Sequence, residues 1–165
     1  MLEILNRSVG QLGFVVKDVD KLVRQYYSQF GIGDWKFYYY GEPLLKFMNY
    51  HGQPAKYLSK IALSYFGTTR IELIQPLRGH TIYTDFIQKH GYGLQHLGIY
   101  VEDIEAELEK TRAEGIDVVM DGGGFGLDGD GKYAYLDTEK RFGITYELIQ
   151  RPKRRHEPAY IFPET

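Results

Sequence analysis

Four side chains able to bind a cation recur in a repeated frame. Gln11-Leu12-Gly13-Phe14-Val15-Val16-Lys17-Asp18-Val19 is echoed by His96-Leu97-Gly98-Ile99-Tyr100-Val101-Glu102-Asp103-Ile104, and Glu72-Leu73-Ile74-Gln75 by Glu147-Leu148-Ile149-Gln150. The two intervals differ, so each half reads as one module with loops of unequal length. Gln11, Glu72, His96 and Glu147 then stand at matched positions and point to one divalent metal ion between two similar halves. Two carboxylates, one imidazole and one amide balance such an ion and leave room for water or substrate oxygens. Co²⁺, Ni²⁺, Mn²⁺, Zn²⁺ and Fe²⁺ all suit this donor set, and side-chain type does not choose among them. An ion held this way polarises a carbonyl and stabilises the enediolate formed when the neighbouring C–H loses its proton. Glu147 is the first candidate for the base, if it can leave or loosely hold the metal, and Glu72 the second. Return of the proton to the same carbon is epimerisation; return to the adjacent carbon is an isomerisation.

Each member alone has a plainer reading. A strand glutamate usually sits at an edge or on the surface, a lone histidine is usually structural, and glutamine is a rare ligand. The repeated frame and a common facing on the strands are what set the quartet apart.

The elements that must carry these residues follow from hydrophobic period and turn signals. Leu12 to Val16 is a short β-rich run, and Asp18 caps a helix from Val19 to Phe30 that Gly31-Ile32-Gly33-Asp34 stops. Trp35 to Tyr40, Tyr57 to Tyr65 and Arg70 to Gln75 read as strands, whereas Leu44 to Lys56 has no clean period. Pro76 to His80 begins a linker, followed by a short helix from Ile82 to His90 with Thr81 or its neighbour as a candidate cap. In the second half, Leu97 to Val101 is a strand and Asp103 opens a helix reaching Ala113, ended by Gly115. Ile116 to Met120, Lys132 to Asp137 and Ile144 to Gln150 are the remaining strands. Asp121 to Gly131 reads as a glycine-rich loop, either a substrate cover or a hairpin connection. Strand alternation gives Gln11, Glu72, His96 and Glu147 one facing and leaves Leu73, Leu97, Ile99 and Leu148 to pack under helices. Polar groups among apolar neighbours are costly unless a metal or a hydrogen bond satisfies them.

The 165-residue chain, 43% apolar with a formal charge of −2, can bury a core and has no general pull toward nucleic acid or an anionic membrane. The run Arg151-Pro152-Lys153-Arg154-Arg155 is the exception; it can meet phosphate or carboxylate, although a solvated surface is its commoner reading. The absence of cysteine excludes disulfides, thiolate zinc sites and cysteine nucleophiles. Met1 to Gly10 has neither a long apolar core nor a basic leader, so a cytoplasmic protein is expected.

At the repeated segments the chain resembles the vicinal oxygen chelate superfamily. That group includes glyoxalase I, methylmalonyl-CoA epimerase, extradiol dioxygenases and bleomycin- or fosfomycin-resistance proteins. The likeness spans residues 9 to 150. It implies an α+β fold in which paired β-α-β-β-β modules form an open, curved mixed-sheet barrel around one metal ion. Residues 9–77 would be the first module, 78–94 a linker with a short helix, 95–150 the second module and 151–165 a tail. Gln11 and Glu72 would be ligands from the first module, His96 and Glu147 from the second. The order Gln, Glu, His, Glu is similar to the ligand set of animal-type glyoxalase I. Arg70-Ile71-Glu72-Leu73-Ile74-Gln75-Pro76-Leu77 and Gly93-Leu94-Gln95-His96-Leu97-Gly98-Ile99 resemble the epimerases instead. Those usually have histidine where Gln11 stands, and their additional acid finds no match in Pro54 to Lys60. The two-His-one-carboxylate iron site of the dioxygenases matches poorly.

The implied function is a divalent-metal-dependent isomerase or epimerase, with a small acyl-CoA as the substrate the resemblance brings. The alternatives are a glyoxalase I-like lyase on a thiol adduct and a non-catalytic protein that binds aromatic drugs in the same cavity. Tyr100, on the facing of His96, together with Trp35, Tyr38 and Tyr40, would wall the substrate pocket. The partners expected are a small carbonyl or acyl molecule and a second copy of the chain. The apolar tail Pro158 to Pro163 would pack on the body or on that partner subunit.

Overall fold

The computed structural model describes residues 3 and 7–164. Its elements in the first half are β1 (Gln11–Val15), α1 (Val19–Phe30), β2 (Trp35–Tyr40), β3 (Phe47–Tyr50), β4 (Gln53–Pro54), β5 (Leu58–Phe66) and β6 (Thr69–Arg78). Then come α2 (Ile82–His90), β7 (Gly93–Val101), α3 (Ile104–Ala113), β8 (Val118–Phe125), β9 (Gly131–Leu136), α4 (Glu139–Phe142), β10 (Thr145–Gln150) and β11 (Tyr160–Phe162). β1 runs parallel to β6, β7 runs parallel to β10, and β1 and β7 pair antiparallel between them. The two copies of the frame therefore meet along the middle of one sheet.

The expected open, curved barrel of paired β-α-β-β-β modules is not what forms. The strands make a single mixed sheet in the order β11-β2-β5-β6-β1-β7-β10-β9-β8-β3-β4, neither closed nor strongly curled. Two additions account for this. β3 and β4 leave the first half and extend the second through pairing with β8, and β11 adds to β2 at the other end. The first and last strands have no partner in each other, so the sheet keeps two ends.

Both long helices lie on one face and are tied down in the same way. Asp18 caps α1 by accepting from the Lys21 N–H, and Asp103 caps α3 by accepting from Glu105 and Ala106. Gln75 Oε1 accepts the first helical N–H of α1, that of Val19, at 3.0 Å, and Gln150 Oε1 accepts that of Ile104 at 3.0 Å. Val19 and Val23 pack on Ile71 and Leu73; Ile104 and Leu108 pack on Ile99 and Leu148. The period of two puts Glu72 and Glu147 on the opposite face, because each lies three residues before its glutamine.

That opposite face carries the third core cluster. It draws Val15, Tyr38, Ile61 and Ile74 from the first half, Met120, Tyr133 and Tyr135 from the second, and Tyr83 from α2. Much of the expected glycine-rich loop is strand. Asp121 to Phe125 belongs to β8 and pairs with both β3 and β9. Glycine is needed there because aromatic rings occupy the side-chain space: a Cβ on Gly122 would lie 2.4 Å from Tyr133 Oη. Residues 1, 2 and 4–6 of the segment expected to lack a leader fall outside the described residues, as does Thr165. Among the described residues no helix is long and apolar enough to cross a membrane.

Candidate metal centre

Sheet register brings the repeated residues together. Gln11 stands opposite Gly98, which on its other side stands opposite Glu147; Gly13 stands opposite His96 on one side and Glu72 on the other. Each donor therefore faces a glycine on one of its two neighbouring strands. The room is used. A Cβ on Gly13 would lie 1.8 Å from His96 Cε1, and one on Gly98 would lie 2.8 Å from Gln11 Cβ and 3.3 Å from Glu147 Oε2.

The donors converge and are buried. Glu72, His96 and Glu147 each offer one ligand atom, and these atoms lie within 4.8 Å of one another. His96 Nε2 is 3.4 Å from Glu72 Oε2 and 3.2 Å from Glu147 Oε2. Bonds of about 2.0–2.2 Å to a common ion would separate adjacent donors by about 3.0–3.5 Å. The cluster thus fits a single divalent metal ion, with Glu72, His96 and Glu147 as its ligands. The imidazole is also correctly turned. Gln95 Oε1 lies 2.8 Å from His96 Nδ1 and can only accept, so in the neutral, metal-binding form the ring proton stays on Nδ1 and the Nε2 lone pair faces the cluster.

Gln11 sits at the cluster but shows it a nitrogen. Arg70 Nε donates to Gln11 Oε1 at 2.7 Å, and a guanidinium has only donors, so the amide oxygen must face it. Gln11 Nε2 then donates to Glu72 Oε2 at 2.9 Å and Glu147 Oε2 at 3.2 Å. In this orientation Gln11 is a hydrogen-bond donor at the centre, not the oxygen ligand expected of it.

The electrostatics of the cluster are those of a site awaiting positive charge. Burial pulls the His96 pKa down, but the charge and hydrogen bonds of Glu147 and Glu72 outweigh it and lift the value from 6.5 to about 9. Burial raises the Glu147 pKa; the His96 charge and a hydrogen bond from the Tyr135 hydroxyl offset only part of that. Tyr83, Tyr133 and Tyr135 are raised well above 10, chiefly by burial, and stay neutral.

A narrow cleft opens from the cluster, lined by Tyr40, Arg70, Phe125, Tyr133, Ile149, Arg151 and Arg155 beside Gln11, Glu72 and Glu147. Of the four aromatic residues expected to wall a pocket, Tyr40 lines this cleft. Tyr38 lines an adjoining groove of about 700 Å³. Tyr100 does not line the cleft; its ring supports Arg151 at 4.4 Å and Arg70 at 5.3 Å. Trp35 does not reach it either. Trp35 is fully buried on the helix face with Val19 and Val23, its indole N–H donating to the Ile32 carbonyl at 2.8 Å. Alternation explains this, since Trp35 and Tyr38 differ by an odd number of residues and face opposite ways. Gln95 and Arg70 were missed by pattern reading, whereas Arg151 and Arg155 belong to the basic run already noted as able to meet phosphate or carboxylate. For Arg70 a signal existed: it precedes Glu72 by two residues on one strand.

The chain is similar to known proteins in sequence pattern and in fold. The sequence pattern of the Glyoxalase/Bleomycin resistance protein/Dioxygenase superfamily matches residues 10–135. A hypothetical protein from Bacillus halodurans is similar in structure, with a TM-score of 0.62 at 23% identity, covering 91% of this chain and 98% of that one. Methylmalonyl-CoA epimerase from Mycobacterium tuberculosis gives 0.62 at 20% identity, covering 85% of each chain. A variant of the Streptomyces coelicolor methylmalonyl-CoA epimerase, in complex with 2-nitronate-propionyl-CoA, gives 0.66 at 17% identity, covering 91% of this chain and 98% of that one. At these identities the likeness is one of fold. No curated protein matches the chain.

Proposed function

Since the chain belongs to the Glyoxalase/Bleomycin resistance protein/Dioxygenase superfamily, we propose that it is a divalent-metal-dependent isomerase that removes and returns a proton next to a substrate carbonyl. The observation that carries this reading is the buried trio of Glu72, His96 and Glu147, set within 4.8 Å at the end of a cleft. A bound ion would supply the positive charge that makes ionisation of the neighbouring C–H affordable.

The chain's own residues do the rest. Glu147 is the proposed base, on condition that it leaves or only loosely holds the ion; in the metal-free fold burial raises its pKa above the ordinary carboxylate value. Glu72 is the second candidate. Gln95 fixes the His96 ring, and the Gln11 NH₂ is a donor for a substrate oxygen on which negative charge grows. Tyr40, Phe125 and Tyr133 keep water from the reacting carbon. The carboxylates lining the cleft are those of the cluster itself. A shift to the adjacent carbon needs only one such carrier. Epimerisation needs a donor on the opposite side, a task that would fall to Tyr40 or Tyr133. The likeness to methylmalonyl-CoA epimerases makes a 2-methyl acyl-CoA the first substrate to try, and a thiol adduct of a 2-oxoaldehyde the second.

The test is metal content after purification without added metal, followed by solvent deuterium incorporation into both substrates by NMR. Near-stoichiometric metal is expected. Glu147→Gln, still loaded, should exchange at least about 100-fold more slowly. Exchange at the wild-type rate in that variant removes Glu147 as base. A protein that takes up no metal yet holds an aromatic ligand in the cleft would be a sequestration protein instead.

A further inference from the structure

We infer that the substrate carries an oxyanion, a carboxylate or a phosphate, that is seated on Arg70, Arg151 and Arg155 next to the metal centre. The inference deepens the function proposed above and rests on it for the position of the reacting carbon.

Arg70 carries the argument. Its residue is 6% exposed, and among the described residues its partners are Gln11 Oε1 and the Tyr100 ring, with no carboxylate within ion-pair distance. Its Nε is taken by one neutral acceptor, and its other N–H groups are open to the cleft and the groove rather than held by protein, which leaves them free to meet a ligand. Arg151 lies over the same Tyr100 ring and, among the described residues, also has no carboxylate partner. Like charges gathered on one ring repel, and an anion shared between them removes that cost. Arg155 is likewise without an ion pair among the described residues, and its neighbour Arg154 is the one that engages Asp128. All three arginines line the narrow cleft with Glu72 and Glu147. Arg70 and Arg155 also line the 700 Å³ groove that continues past Tyr38, Leu63 and Ser64 to Pro158. Asp34 and Glu157 border that groove, yet neither is within ion-pair distance of these arginines.

Charge balance points the same way. One divalent ion cancels Glu72 and Glu147 and takes His96 in its neutral form. The three arginines are then left uncompensated at the mouth. A guanidinium fork binds carboxylate or phosphate through paired hydrogen bonds, so these are the groups that match it. Arg70 is one side chain, that of Gln11, away from the cluster. The anionic group therefore sits only a few bonds from the carbonyl that reacts, and the groove takes the remainder of the molecule.

The test is calorimetric titration of the full chain with malonate and with sulfate, the latter as a tetrahedral stand-in for phosphate. Zn²⁺-loaded and chelator-treated protein are both measured at low salt, so that direct contact between anion and ion is told apart from contact with arginine. Arg70→Met should weaken binding about 100-fold and Arg155→Met about fivefold, in line with a buried and a rim charge. Arg70 also anchors Gln11, so Arg151→Met/Arg155→Met, both exposed positions, serves if Arg70→Met fails to fold. Preference for malonate or for sulfate tells the carboxylate from the phosphate source. The inference is overturned if wild type binds neither anion, or if the double variant binds both as tightly as wild type. Arginine-dependent binding without metal uptake leaves this inference standing and sinks the catalytic reading. Deuterium exchange on an uncharged substrate without oxyanion binding does the reverse.

Discussion

Gly13 and Gly98 matter to the metal centre as much as the ligands do. Each stands where a side chain would collide with a donor across the strand pair, and His96 lies in the space that Gly13 leaves. Gly13→Ala should push the imidazole off Gln95 and weaken metal binding by at least about tenfold, the size seen when a ligand loses its orientation. Titration with Co²⁺, followed by its visible absorption, measures this; an unchanged affinity would mean the ring is held by other contacts. The His96 proton makes a second prediction. Its pKa of about 9 in the metal-free fold exceeds the unfolded value of 6.5, so the imidazolium stabilises the fold fully below pH 6.5 and that contribution disappears as pH rises through 9. Glu147, also raised, has the same sign. The metal-free protein should lose Tm between pH 6.5 and 9, and metal uptake near neutral pH should release a proton to the buffer, measurable by calorimetry in buffers of different ionisation enthalpy. The convergence of Glu72, His96 and Glu147 was legible in sequence because two copies of one frame share a facing. The Gln11 amide orientation was not, because it is set by Arg70, which is brought beside Gln11 only by the β1–β6 register.

At the level of elements, the repeated Glu-Leu-Ile-Gln has two tasks on two faces. The glutamate serves the centre, while the glutamine holds the start of a helix. Gln150→Ala leaves the Ile104 N–H without its side-chain partner and should cost about 1 kcal/mol. Denaturant unfolding should show that loss with metal stoichiometry unchanged; a loss of metal instead would mean that α3 positions Glu147 directly. Helices α1, α2 and α3 were readable because Asp18, Thr81 and Asp103 cap them and glycines follow them. The hairpin of β3 and β4 and the strand through Gly122 were not. β3 and β4 have little period of their own, and a glycine strand is recognised only by the rings that cover it. Trp35 was misplaced for a related reason: its size suggested a pocket wall, yet strand parity sends it under α1.

For the molecule as a whole, the barrel expectation failed because the ends of a sheet depend on distant segments. β11, from the tail, and β3 with β4, from the first half, occupy positions that no local pattern announces. The same organisation makes the ion a tie between halves, with Glu72 from one and His96 and Glu147 from the other. At a free metal concentration of about 100 times Kd, loading should add about 2.7 kcal/mol to stability. Chelation should therefore lower Tm in a single cooperative transition; two separate transitions would mean that the halves unfold independently. A last consequence concerns β6. One ribbon shows Glu72 to the centre and Gln75 to α1, so a slide along its neighbours would disturb inner carboxylate and outer helix at once. Agitation of the solvent-facing helix is thereby geared to the innermost oxygen atoms, and slow amide exchange along this one ribbon would be the clearest sign that the gearing is stiff.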